Sequence, residues 1–212
     1  MTAGEREHEH EVEDEGSVGY ERAVAFSDGV FAIAITLLVL GLGVPEVADG
    51  ELPDALRDLG PQVMSYFIGF AVIGAFWLGH HRFFGVLRRF DSTLLVLNLA
   101  FLSFISLMPF TTGLLGRYGG VEAAVVAYAA NVIAASAADT AMLWVALRRR
   151  LLAPGHGRDP RARLFASFFP GLVFLCSIPV ALAAPRAAPY TWLALFLGGP
   201  RVARLWARAR GR

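Results

Sequence analysis

Few side chains in this 212-residue sequence could do chemistry, and most of those that could are set in strongly apolar company. Ser27 and Asp28 interrupt the run Arg22 to Leu42, ERAVAFSDGVFAIAITLLVLGL with its leading Glu21. His80 and His81 close a second apolar run that also holds Trp77, and Asn98 is the single amide in a third. An ionisable group inside a hydrocarbon layer is costly and commonly marks an ion or proton pathway. Asp28 with His80 therefore offers a proton relay, as in a proton-coupled or small-solute transporter. Asp28, His80 and His81 could also be read as an embedded active site, but no nucleophile or metal set accompanies them, and no catalysis is expected. The third reading is structural: Asp28 anchors its helix to polar groups of other helices.

Depth favours the anchor. Asp28 lies about two helical turns beyond Arg22, His80 about eight residues before Arg88 and Asn98 about seven after Asp91, at roughly 1.5 Å per residue. His80 and Asn98 are thus the candidate partners of Asp28 near one membrane face. Trp77 and His81 fit interfacial or packing positions. His8 and His10 lie among glutamates in a segment more consistent with solvation than with a metal site, so no metal and no cofactor is expected.

The elements that must position these groups are apolar helices. At about 100° per residue, Phe26, Val30, Ile33, Leu37 and Leu40 form one bulky stripe of the first helix. Ala25, Gly29, Ala32 and Thr36 form a neighbouring small stripe suited to close helix contact in lipid, and Asp28 points nearly opposite the bulky stripe. An apolar stripe by its spacing alone does not distinguish a pore face from a packed face. Further spans are predicted over about Gln62 to Leu87, with Pro61 in its first turn, Thr93 to Leu115 with a kink at Pro109, Val121 to Leu147, Leu164 to Ala184 with Pro170 and Pro179 inside, and Tyr190 to Trp206. A short amphipathic turn is predicted around Leu52 to Leu59.

Hydrophobic content of 56%, gathered into long runs, places the chain in a membrane. The fold class is all-α integral membrane, with six transmembrane helices. Seven of the eighteen carboxylates fall between Glu5 and Glu15, and residues 1–19 are predicted to be a disordered acidic tail. Residues 20–206 form the membrane domain and residues 207–212 a basic tail. All nineteen basic residues are arginine. With the N-terminus inside and six spans, sixteen arginines face the cytoplasm and three, Arg57, Arg117 and Arg186, face the other side, so both termini are predicted cytoplasmic. Arg148, Arg149 and Arg150 abut the fourth span as a stop signal. The lone cysteine, Cys176, excludes an intrachain disulfide. No nucleotide loop is present, and no nucleic-acid partner is expected.

R-x-x-x-F-S-D at Arg22 to Asp28, followed by GVFAIAITLLVL, resembles the signature of the TMEM175 family of potassium channels in its bacterial single-repeat form. HHRFF at His80 to Phe84, RRFD at Arg88 to Asp91, LN at Leu97 and Asn98, and MPFTT at Met108 to Thr112 resemble the family as well. The resemblance covers most of the first three spans. It implies a homotetrameric cell-membrane channel, with its first helices around a central pore that lacks a TVGYG-like carbonyl filter. It places an apolar constriction at Ile33, further layers at Leu37 and Leu40, and the hydroxyl layer at Thr36. Ala32 lacks the hydroxyl found there in some family repeats, which implies modest selectivity for K+ over Na+. Arg22, Phe26, Ser27, Asp28, Trp77, His80 and Asn98 become the supporting network. The partners implied are other copies of the chain, membrane lipid and permeant K+.

Overall fold

The structure is a computed structural model that describes residues 3–154 and 160–192, with side chains from residue 19 onward. Its regular elements are helical: α1 Ala3–Leu37, α2 Leu52–Asp58, α3 Gly60–Phe84, α4 Ser92–Tyr118, α5 Glu122–Arg148 and α6 Pro160–Ala183. Among the described residues five stretches are long and apolar enough to cross a membrane: Gly19–Gly41 and the whole of α3, α4, α5 and α6. Their lengths of 23 to 27 residues exceed the roughly 20 needed for a hydrocarbon layer of about 30 Å. The expected sixth span begins with a helical stretch at residues 188–192, and its remainder lies outside the described residues, as does the basic tail.

Two boundaries differ from expectation. Helix α1 starts at Ala3, within the acidic segment predicted to be a tail. Low apolar content argues against burial, but Glu and Arg are good helix formers, so composition alone does not forbid a helical backbone there. At its other end the α-helix stops at Leu37 and tightens into a 3-10 turn over Leu38–Gly41. Residues three apart nearly eclipse in such a turn, which brings Leu37 and Leu40 toward one line.

Helix α4 is the hub, packing against α1, α3 and α5, while α6 packs on α5. Phe101, Ile105 and Met108 of α4 are fully buried, meeting Phe31, Ala34 and Leu38 of α1, Ile73 and Phe76 of α3 and Val125, Tyr128 and Val132 of α5 in one core. Small residues permit the α3–α4 approach. A Cβ at Gly116 would come within 3.1 Å of the Gln62 backbone, and one at Gly69 within 2.7 Å of Thr112 Oγ1. Asp91 caps α4, accepting a 2.9 Å bond from Leu94 N–H, and α4 is continuous through Pro109.

In α6, Pro170 is accommodated by a neighbour. The Ser136 hydroxyl of α5 accepts from Gly171 N–H at 3.1 Å and donates to the Ser167 carbonyl at 3.2 Å, so a side chain from α5 inserts into the α6 ladder. Ser167 in turn donates to Asp139 at 2.5 Å, giving the carboxylate of the fourth span a partner inside the bundle. Trp192, buried with Tyr128 and Phe174, donates to Ser177 at 2.9 Å and docks the 188–192 stretch on α5 and α6.

Candidate functional site: the first membrane helix and its buried anchor

Ala23, Ser27, Phe31, Ala34 and Leu38 recur at intervals of three or four and form the buried face of α1. At its centre is a directional chain of hydrogen bonds. Ser27 Oγ donates to Ala23 O at 2.8 Å, which is the hydroxyl's one proton. Its lone pairs accept from Asn98 Nδ2 of α4 at 3.0 Å. Asn98 Oδ1 then faces His80 Nε2 of α3 at 2.9 Å, and because the amide oxygen can only accept, Nε2 carries the proton. One serine, one amide and one imidazole thereby join α1, α4 and α3.

An aromatic cage fixes the imidazole. Phe84 stacks on His80 with centroids 4.4 Å apart, Phe101 stacks at 5.5 Å and 11°, and Phe31 meets it edge-on at 5.5 Å. With His80, Asn98 and Ser27 all buried, no bulk water competes for these bonds, so each depends on the others.

Asp28 takes a different partner from the two expected. Its Oδ1 accepts from Trp77 Nε1 at 2.9 Å, and Trp77 stacks on His81 at 5.5 Å. The reason is angular: Ser27, one residue earlier, occupies the middle of the buried face, while Asp28 lies at its border, half-buried, where the α3 indole reaches it. Trp77 is accordingly a hydrogen-bond donor as well as a packing residue. Arg22 and Phe26 are exposed and stand outside the buried chain.

The bulky stripe faces away from the subunit. Phe26 is 55% exposed, Ile33 60%, Leu37 42% and Leu40 75%, with Val30 half-buried. Ala25, Gly29, Ala32 and Thr36 are exposed beside it. Thr36 Oγ1 donates its proton to the Ile33 carbonyl at 2.9 Å, which leaves the oxygen's lone pairs as its outward chemistry.

The family description "Endosomal/lysosomal potassium channel TMEM175" matches residues 22–109, the stretch that contains α3, the anchor and the exposed stripe. A potassium channel from Streptomyces collinus is 40% identical over 147 residues, 66% of this chain and 68% of that protein. The chain belongs to the TMEM175 family. The crystal structure of a homologue, from Chamaesiphon minutus, of the lysosomal potassium-selective channel TMEM175 superposes with a TM-score of 0.77 at 27% identity. That match covers 88% of this chain and 98% of the homologue. An endosomal/lysosomal proton channel TMEM175 from Mus musculus is 41% identical over 98 residues, 42% of this chain but 20% of that longer protein. TMEM175 relatives are channels and not enzymes, in agreement with the expectation drawn from the isolated His80, His81 and Asp28. As a TMEM175 member with several apolar helices, the chain is a multi-pass membrane protein.

The aromatic cage is what reading the sequence missed. Phe31, Phe84 and Phe101 are ordinary residues of apolar runs, and only the crossing of three helices gathers them around one imidazole. Tyr20 was also unmarked, although its hydroxyl donates to the Phe84 carbonyl at 2.6 Å and ties the start of the first span to the end of α3.

Proposed function

We propose that this chain is the subunit of a homotetrameric, potassium-permeable channel, with six spans and cytoplasmic termini, whose first helices line the pore. Ile33 forms the constriction, Leu37 and Leu40 add apolar layers that gate by dewetting, and the Thr36 hydroxyls offer the permeant cation its polar layer. Ala32, carrying no hydroxyl, keeps selectivity for K+ over Na+ modest. The observation that carries this reading is the contrast between the two faces of α1. One face is fastened by Ser27, Asn98 and His80, and the other presents an apolar stripe that the described residues of its own subunit leave uncovered. The stripe is positioned to meet copies of itself.

The chemistry of the anchor speaks against a proton relay. A relay requires each member to accept and release a proton, but the amide of Asn98 lies between His80 and Ser27, and Ser27 ends on a backbone carbonyl. Asp28 joins Trp77, whose indole N–H is a donor only. Electrical recording from purified protein in liposomes tests the assignment with Ile33→Ala, Ile33→Asn, Thr36→Ala and Asp28→Asn. The Ile33 variants raise conductance, Thr36→Ala lowers the preference for K+ over Na+, and Asp28→Asn retains current. Unchanged conductance and selectivity in all Ile33 and Thr36 variants overturns the pore assignment; loss of current in a folded Asp28→Asn protein supports the relay.

A further inference from the structure

Among the described residues, Arg150 is the only non-glycine with a positive φ, 56°. The position is well defined. Helix α5 ends at Arg148, and beyond it Arg150 N–H bonds Leu147 O at 3.3 Å while Leu151 N–H bonds Ala146 O at 2.9 Å. These are the paired bonds of a Schellman cap, in which Arg150 occupies the left-handed position that glycine fills at least steric cost. An arginine here adds strain to the fold, so its side chain calls for another use.

The cap also reverses the chain onto the α3–α4 turn. Arg88 N–H bonds Leu151 O at 2.8 Å and Ala153 N–H bonds Val86 O at 2.9 Å, an antiparallel bridge that sets Arg88 and Arg89 beside the end of α5. Arg149 is engaged by Asp91 at 2.6 Å and Thr93 at 3.1 Å, which locks the junction. Arg148 lies over the exposed ring of Trp144, 4.9 Å from its centroid, an indole at the helix end in the manner of a membrane-interface residue. Arg88, Arg89, Arg148 and Arg150 are all exposed.

We infer that this junction is a binding site for the headgroup of an anionic phospholipid. Four exposed guanidiniums stand on a hydrogen-bonded scaffold where two spans leave the membrane, and Arg150 is held in place by a cap that would be easier to form without its side chain. Guanidinium groups bind phosphate oxygens through paired N–H donors, and juxtamembrane arginine clusters draw anionic lipid. A lipid supplies both phosphate and acyl chain at that depth. The site depends on the spans crossing a bilayer and not on the pore assignment.

The test titrates the intact protein in neutral detergent with phosphatidylglycerol, phosphatidylcholine or inorganic phosphate, reading thermal stabilisation in wild type, Arg150→Gly and Arg88→Gln. Glycine suits the cap, so Arg150→Gly melts at or above the wild-type temperature without lipid, yet its apparent affinity for phosphatidylglycerol falls about fivefold, as does that of Arg88→Gln. Phosphatidylcholine and inorganic phosphate leave the melting temperature where it was. Wild-type affinity for phosphatidylglycerol in both variants overturns the site, and equal stabilisation by inorganic phosphate overturns its assignment to lipid.

Discussion

Ser27 illustrates how one hydroxyl can fix a helix in a medium without water. It donates once to its own helix and accepts from Asn98, which leaves His80 bonded to the other end of the same amide. Removing the amide leaves the buried His80 Nε2–H without an acceptor and takes from Ser27 Oγ the bond it accepts. Asn98→Ala is therefore expected to cost about 2 to 6 kcal/mol, from roughly 1 to 3 for each of the two lost partners. Thermal melting in detergent checks it: the variant melts well below wild type, while Thr36→Ala, at an exposed position, melts near it. The identities of Ser27, His80 and Asn98 were legible in the sequence, because polar residues in apolar runs stand out and their depths match. Their pairing was not. A rotation of one residue on α1 decides whether Ser27 or Asp28 meets the amide, and helical projection of a single chain does not fix where its neighbours lie.

At the scale of elements, spans were readable because apolar runs of bilayer length have few alternatives. Pro61 entered the first turn of α3 as expected, and the predicted amphipathic turn became α2. What escaped was how closely the helices approach. Gly116 resembles any glycine near a helix end until Ser65 and the backbone of Gln62 are seen against it. Gly116→Ala is expected to destabilise by about 1 to 3 kcal/mol through overpacking, read as a lower melting temperature, since part of the obstruction is backbone that cannot rotate aside. Gly74→Ala, where nothing lies within 4 Å, serves as its control and leaves the melting temperature unchanged or slightly raised.

The α3–α4 turn adds a dependence on pH. The Asp91 carboxyl is held below the usual carboxylate range, first by the Leu94 N–H and further by Arg149. A carboxylate whose pKa is depressed on folding contributes stability above its unfolded pKa, about 4, and that contribution is lost as pH falls through the lower folded value. The pair is partly exposed, so the effect is modest. Melting followed between pH 3 and 7 should show an acid decline that is smaller in Asp91→Asn, which still supplies a helix cap but has no charge to lose.

For the whole molecule, the central question is what covers the exposed face of α1. Membership of the TMEM175 family and the superposition on the Chamaesiphon homologue place α1 in a channel fold, and the anchor presses one of its faces into the subunit. In the proposed function the bulky stripe faces its counterparts in other copies. A single subunit does not contain the pore in this account, which is why spacing in one chain could not separate a pore face from a core face. The sole cysteine, Cys176, is exposed and is removed first as Cys176→Ala. Cysteine is then placed at position 33 or, as a control, at Val96, an exposed position of α4. Thiols converging on one axis bind the soft cation Cd2+ together, whereas separated thiols do not. Cd2+ should block current through the Ile33→Cys channel, reversibly on chelation, and leave the Val96→Cys channel open; a functional Ile33→Cys channel indifferent to Cd2+ would contradict a pore lined by the first helix.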